Sequence, residues 1–410
     1  MIGMSKLEPV SFLQGAALEE RFNALNSFLI QHQPLWRPKP FIQLTLPWEQ
    51  TYQALSAWLR ARSLDEAEAA HNSPHTLQAP LPFSGWAEES RQLCAIGELP
   101  RQHSEAPNAW SVDVPGRKWE QVEAFTQHAL FRHPPSHWLD WCSGKGHLGR
   151  RLSLSGTAFD CLEYDPSLVD AGRCISKRLG LSAHHYEQDV MDESVLNRLE
   201  TSHTPVALHA CGDLHVRLMQ VASAARCSAL AIAPCCYNRI SGEQYRPLST
   251  DAKGSTLLLS KEDLGLPLCE TVTAGARVRR QRDISMARRL GFDLLQREIR
   301  EIDEYLPTPP LPTSWLQRTF RDYCLELATL KKLPPVPEQD WKALEAAGWM
   351  RLATVRNLEL VRGLFRRPLE LWLLLDRALY LQEQGYQVKL GRFCDYDLTP
   401  RNLMLLAEKP

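Results

Sequence analysis

Two short segments concentrate the side chains able to do chemistry. They are Leu208-His209-Ala210-Cys211-Gly212-Asp213-Leu214 and Ala233-Pro234-Cys235-Cys236-Tyr237-Asn238. An imidazole such as His209 or a carboxylate such as Asp213 can take a proton from an acceptor atom held in line for attack. A thiolate at Cys211, Cys235 or Cys236 can add to an electrophilic ring carbon while another cysteine assists release. His209 and the three cysteines also offer metal-ligand atoms. Adjacent cysteines make poor chelators of one tetrahedral ion, however, so no metal is expected. The bland reading is that these are small buried thiols that only pack, Cys236 above all. These readings stay open.

A third segment has the form of a cofactor loop: Asp140-Trp141-Cys142-Ser143-Gly144-Lys145-Gly146-His147-Leu148-Gly149. Gly144 and Gly146 permit a tight turn and a close ligand approach. A helix starting near His147 offers free N–H groups and a positive end to a carboxylate. Asp140, where the preceding strand ends, can accept from an ammonium. Glu163 follows roughly 20 residues beyond the glycines, the place of a carboxylate that holds two ribose hydroxyls. Asp165 is the alternative for that role. Asp189 can accept from an adenine amino group. Loop, ribose acid and adenine acid in this order point to S-adenosylmethionine. The spacing does not fit the GxGxxG of NAD sites.

These groups need strands to end where they stand. Short apolar runs at 137–142, 157–164, 184–188, 206–210 and 229–233 alternate with helical patterns, the signature of a parallel sheet covered on both faces. Residues 247–364 are helical in character, broken at Pro307-Thr308-Pro309-Pro310-Leu311-Pro312. A helix at 369–383, then strands at 388–394 and 403–407, follow. A closing helix and antiparallel pair is how the sheet of S-adenosylmethionine-dependent methyltransferases normally finishes. The expected fold is therefore α/β, a Rossmann-like class I methyltransferase sheet, inferred from that family fold as well as from pattern. It has an N-terminal mostly helical region and a helical insertion after strand five. The domains are 1–114, 115–246, 247–364 (the insertion) and 365–410, the last closing the sheet.

With 410 residues, 44% hydrophobic and 23% charged, the chain suits several domains rather than one core. A net charge of -1 excludes a polycation, so any nucleic-acid contact needs a local basic face. Met1-Ile2-Gly3-Met4 lacks a secretory pattern, and no apolar run reaches the roughly 18 residues of a membrane span. A cytoplasmic location with eleven reduced cysteines and no membrane partner is expected.

The segments WCSGKGHLG, LHACGDL and CCYNRIS, with the closing LELWLLLDRALYLQE and DLTPRNLMLLAEK, resemble a known family. It comprises the methyltransferase-like proteins sometimes labelled ribosomal RNA adenine dimethylase-domain proteins. More distantly they resemble the glutathione S-transferase C-terminal-domain-containing protein and the acceptor-stem tRNA 2′-O-methyltransferases. The resemblance covers about 117–410. It implies cofactor contact at Asp140, Gly144, Gly146, Glu163 and Asp189, with Cys142 and His209 beside them. It implies an active-site lining of His209, Cys211, Gly212, Asp213, Cys235, Cys236 and Tyr237. Two departures stand out. Cys142 replaces a common glycine, which extended backbone would accommodate. His-Ala-Cys-Gly stands where adenine dimethylases carry Asn-[Ile/Leu]-Pro-[Tyr/Phe].

The insertion holds Arg277, Arg279, Arg280, Arg282, Arg288, Arg289, Arg297 and Arg300. Guanidinium groups along one helix match phosphate geometry, so RNA (tRNA or rRNA) is the expected partner. The equal alternative is a solvated helix paired with Asp283, Glu298, Glu301 and Asp303. A protein substrate and a non-catalytic cofactor-binding module are the other functional readings. Arg117 and Lys118 read as an isolated, solvated pair.

Overall fold

The computed structural model describes residues 11–112, 114–269 and 275–410. The segment Met1–Met4, read for a signal, lies outside them. The described chain forms two compact units. Of the described residues, one comprises 11–30, 93–112, 114–269 and 367–410, and the other 31–92 and 275–366. The stretch read as one N-terminal region thus contributes to both.

The first unit holds an eight-stranded sheet. Its strands are β1 (Leu13–Gln14), β2 (His137–Trp141), β3 (Ala158–Glu163), β4 (Ala183–Glu187), β5 (His203–Cys211), β6 (Ala229–Cys235), β7 (Gln387–Arg392) and β8 (Leu403–Glu408). The order is β1-β7-β8-β6-β5-β2-β3-β4. Strands β2 to β6 pair in parallel, while β8 lies antiparallel between β6 and β7. This is the class I methyltransferase order, with the expected split: five strands precede the helical insertion and two follow it. The addition is β1, antiparallel on the β7 edge.

The sheet is apolar because both faces are covered. Every residue of β6 and β8 is buried. Phe159, Val206, Ala231 and Met404 join Phe125 and Leu148 from flanking helices in one core cluster. The order places the end of β2 beside those of β3 and β5, with β6 next. The cofactor loop and both chemistry-bearing segments therefore share the carboxyl edge of the sheet, where open α/β folds bind ligands.

The helix Arg366–Glu383 buries the adjacent charges Asp376 and Arg377 almost completely. Asp376 accepts from the Ser249 N–H and Oγ, both at 2.7 Å, and from the Tyr245 hydroxyl. Arg377 Nε donates to His215 Nε2 at 2.7 Å, and His215 Nδ1 donates to Ala210 O at 3.0 Å. A buried charge is tolerated only when paired in this way. The chain of bonds ties the closing helix to the end of β5. No helix among the described residues is long and apolar enough to cross a membrane.

The second unit packs the helices Ala276–Arg300 and Trp341–Gly363 at close range. A Cβ on Gly348 would lie 2.5 Å from Ala287 O. The expected guanidinium face is largely internal. Arg288 donates to the carbonyls of Trp315, Leu316 and Arg318, and Arg289 to Thr308 and Pro309. Arg297 pairs with buried Asp293 and with Asp303, and Arg300 donates to Gln296. Arg282 stands by Glu68 and Asp283. Arg277, Arg279 and Arg280, at the start of the helix, are exposed.

Candidate active site

The cofactor loop is built on left-handed backbone. Cys142, Gly144 and Gly146 have φ of 54°, 57° and 71°. The expectation of extended backbone at Cys142 is therefore corrected. The residue adopts the conformation a glycine would, at a cost of roughly 1–2 kcal/mol for an L side chain. Burial and the nearby Glu163 carboxylate push its thiol up to about 12, so it is protonated at neutral pH. Gly146 also needs its missing side chain. A Cβ there would stand 2.7 Å from His185 Cε1 and 2.9 Å from Cys161 Sγ.

Asp140 is buried, and its Oδ2 accepts the Gly149 N–H at 2.8 Å. It thus braces the loop to the helix His147–Leu152, using one of the N–H groups that the sequence assigns to the ligand. A Cβ on Gly149 would lie 2.6 Å from Phe159 Cδ2, which explains that glycine. Burial pushes the Asp140 carboxyl up to about 7 from an ordinary 3.8. The folded chain holds a proton that the unfolded chain releases from about pH 4 upward. This contribution to stability is present below the unfolded value and is lost as pH rises through about 7. Asp140→Asn keeps an acceptor for Gly149 and is expected to flatten that part of the stability–pH curve. An unchanged slope of urea midpoints between pH 5 and 7 would show that the carboxyl is not its source.

Glu163 stands partly exposed at the end of β3. Its Oε2 accepts the Gly144 N–H at 2.8 Å and its Oε1 the Asp165 N–H at 3.0 Å. Each carboxylate oxygen has a second lone pair, so the group that pins the glycine turn can still accept two ribose hydroxyls. Asp165 instead caps the helix Pro166–Arg178, accepting from the Ser167 N–H at 2.8 Å and its Oγ at 2.6 Å. Asp189 is exposed and accepts the Met191 N–H at 2.9 Å.

Across the sheet edge, β5 and β6 shift register between Leu208 and Cys211, where β5 carries one extra residue. His209 sits in that bulge with φ 70°. Its Nε2 lies 2.6 Å from Gln121 Oε1, and Gln121 Nε2 donates to Leu398 O at 3.3 Å. The Leu398 carbonyl fixes the amide's orientation, so Gln121 presents its oxygen to His209. The neutral imidazole therefore carries its proton on Nε2 and its lone pair on Nδ1. Desolvation and the Lys118 ammonium hold its pKa below the ordinary value. Gln121 had no sequence signal beyond its place on a helix next to the loop.

Asp213 binds backbone: its Oδ2 accepts the Ser241 N–H at 2.7 Å, and its own N–H donates to Arg239 O at 3.0 Å. Gly212 lets these segments touch, since a Cβ there would lie 1.8 Å from Arg239 O. Cys211 Sγ and Cys235 Sγ are 3.6 Å apart, and with Cys236 Sγ all three lie within 4.8 Å of one another. Hydrogen bonds from Cys211 and Cys235, with Arg239 and Arg401 nearby, draw the Cys236 thiol down. Cys235 is pushed up in turn by the same hydrogen bonds. Tyr237 is buried beneath the site, with no hydrogen-bond partner for its hydroxyl among the described residues. Arg117, read as solvated, donates to the carbonyls of Leu398 and Asp397 beside Gln121's contact.

The geometry thus brings His209, Cys211, Asp213, Cys235 and Cys236 to one end of β5 and β6. Cys142, Gly144, Gly146 and Glu163 lie at the ends of β2 and β3, and Asp189 lies beyond β4. Residues 117–243 match a family model described as a methyltransferase domain. With the sheet order, the stretch has the fold of a class I methyltransferase domain, and domains of that class take S-adenosylmethionine as cofactor.

Similar solved structures include one concerning conversion of a disulfide bond into a thioacetal group during echinomycin biosynthesis. It is 20% identical over 33% of this chain and 54% of that one, at a TM-score of 0.22. Another is a putative sarcosine dimethylglycine methyltransferase from Galdieria sulphuraria, 15% identical over 33% and 54%, at 0.23. Coclaurine N-methyltransferase bound to N-methylheliamine and SAH is 13% identical over 84% and 90%, at 0.25. The chain spans about half the length of the first two, 54% of each.

Proposed function

We propose that the chain transfers a methyl group from S-adenosylmethionine to a nucleotide of tRNA or ribosomal RNA. The observation that carries the methyl-transfer reading is the Glu163 carboxylate. It holds the Gly144 N–H at 2.8 Å and so fixes a glycine turn and a ribose acceptor in one place. The cofactor supplies an electrophilic methyl on a sulfonium. The chain supplies the rest. Glu163 and Asp189 hold the nucleoside, and the loop glycines let backbone approach it. His209, with its lone pair on Nδ1, takes the proton from an acceptor N–H or O–H. Gln121 is a positioning residue that fixes the tautomer. Asp213 serves as the clasp between the two segments: its carboxylate holds the Ser241 N–H and its own N–H the Arg239 carbonyl.

Two features support RNA as the acceptor class. The motifs LHACGDL and CCYNRIS resemble those of the methyltransferase-like proteins sometimes labelled ribosomal RNA adenine dimethylase-domain proteins, although His-Ala-Cys-Gly is not the dimethylases' own motif. Arg277, Arg279 and Arg280 lie exposed at the start of one helix, where phosphate can meet them. Eleven free cysteines suit a reducing compartment such as the cytoplasm. Nucleoside mass spectrometry of RNA from a deletion strain, with proteomics beside it, tests the proposal. The expected result is loss of one methylated nucleoside, restored by the wild-type gene and not by its His209→Ala variant. Unchanged RNA with a lost protein methyl mark overturns the RNA assignment. No change in either overturns methyl transfer and leaves a cofactor-binding module.

A further inference from the structure

We propose that Cys211, Cys235 and Cys236 form a three-thiolate site for a thiophilic metal ion of the zinc class. Their Sγ atoms lie within 4.8 Å of one another, the Cys211–Cys235 pair at 3.6 Å. Two thiolates bound to one tetrahedral zinc at ~2.3 Å stand about 3.8 Å apart. One pair is therefore already at the bound separation, and the third sulfur needs to move by only about 1 Å to complete a tetrahedral face.

The sequence argued against this because adjacent cysteines make poor chelators of one tetrahedral ion; on a regular strand their side chains point to opposite faces. The backbone removes that objection. Cys235 is the last residue of β6, and Cys236 leaves it with φ 47°. That left-handed step puts consecutive sulfurs on the same side. The extra residue in β5 sets Cys211 opposite Cys235. His209, within that bulge, also has φ above zero. Non-glycine residues in this region are strained and persist where the surroundings over-determine them, often at sites of function. Here two of them act on one result, the convergence of three thiols. The competing contact is weak: Cys211 Sγ reaches His209 O at 3.5 Å. Arg239 and Arg401, nearby, offset the net negative charge of a divalent ion with three thiolates.

A second cluster shows what distinguishes a ligand set from a hydrogen-bonded one. His137, Asp160 and His203 also gather within 4.8 Å, at the opposite edge of the sheet. There the Glu200 N–H donates to His203 Nδ1 at 3.1 Å, which places the His203 proton on Nε2, facing Asp160 at 3.7 Å. A nitrogen that carries a proton is not a ligand. No such conflict occupies the thiols. Three protein ligands leave a fourth position open, the pattern of reactive rather than purely structural zinc sites. The metal site does not depend on the acceptor being RNA.

The full chain, purified reduced and stripped with a chelator, is titrated with Co²⁺ and then Zn²⁺. Expected are one equivalent of Co²⁺ with a tetrahedral, thiolate-to-cobalt spectrum, its displacement by Zn²⁺, and protection of three thiols from a disulfide reagent. Cys211→Ser and Cys236→Ser each weaken binding at least tenfold. Cys174→Ser with Cys269→Ser, at exposed positions, leaves it unchanged. S-adenosylmethionine affinity reports whether each variant is folded; where one is not, the wild-type spectrum and thiol protection decide. An octahedral spectrum, absence of stoichiometric binding, or folded Cys211 and Cys236 variants with wild-type affinity overturns the proposal.

Discussion

Replacing Gly146 with valine is expected to weaken S-adenosylmethionine binding at least 100-fold, with the sheet intact. Two independent effects add. At φ 71° a β-branched residue is a steric outlier, costing roughly 1–2 kcal/mol or more. Its Cβ would also stand 2.7 Å from His185 Cε1 and 2.9 Å from Cys161 Sγ. Neither neighbour yields easily. His185 is buried and fixed by Ser176 Oγ at 2.9 Å, and Cys161 is buried in β3. The loop must then move, and with it the Gly144 N–H that Glu163 holds. A shift of about 2.8 kcal/mol is already a factor of 100. Calorimetry with the cofactor, beside a circular-dichroism melt, reads both parts. Wild-type affinity in a folded variant would refute the loop assignment.

Gly212→Ala is expected to abolish turnover, with a loss of roughly 3 kcal/mol in stability, at the upper end of ordinary overpacking. The clash is with main chain: the new methyl would lie 1.8 Å from Arg239 O and 2.4 Å from Arg239 C. Relieving it separates the ends of β5 and β6. The Asp213 N–H to Arg239 bond and the Ser241 to Asp213 bond go with it. His209 and Cys211 sit on one side of that clasp and Cys235 and Cys236 on the other, so the variant takes the acceptor site apart. Cofactor affinity, set by the loop at β2 and Glu163 at β3, should fall far less than turnover. Near-normal turnover would show that the clasp positions nothing the reaction uses.

Strands β2 to β8 were legible, most of them as short apolar runs alternating with helical patterns, whereas the two-residue β1 was not. His137–Trp141 and Leu403–Glu408 differ from the expected bounds by one residue at one end. The split of the sheet around the insertion was legible from the closing helix and strand pair. What escaped is set by contacts distant in sequence. Spacing alone does not tell the ribose acid from the helix cap two residues on; the Glu163 bond to Gly144 does. Arginines spaced along a helix look like a phosphate face until Thr308, Pro309 and the 315–318 carbonyls are found against them. The adjacent Cys235 and Cys236 read as poor chelators of one ion, and the positive φ at Cys236 has no sequence signature. One missed feature did have a signal. An Asp-Arg pair inside the apolar Leu369–Leu381 stretch, Asp376 and Arg377, marks a buried network rather than a solvent face.

Titration of S-adenosylmethionine into the wild-type full chain in a calorimeter bears most directly on the account. One site is predicted, saturating at a single equivalent and lost in Gly146→Val. Absence of binding by the folded wild-type chain would contradict it.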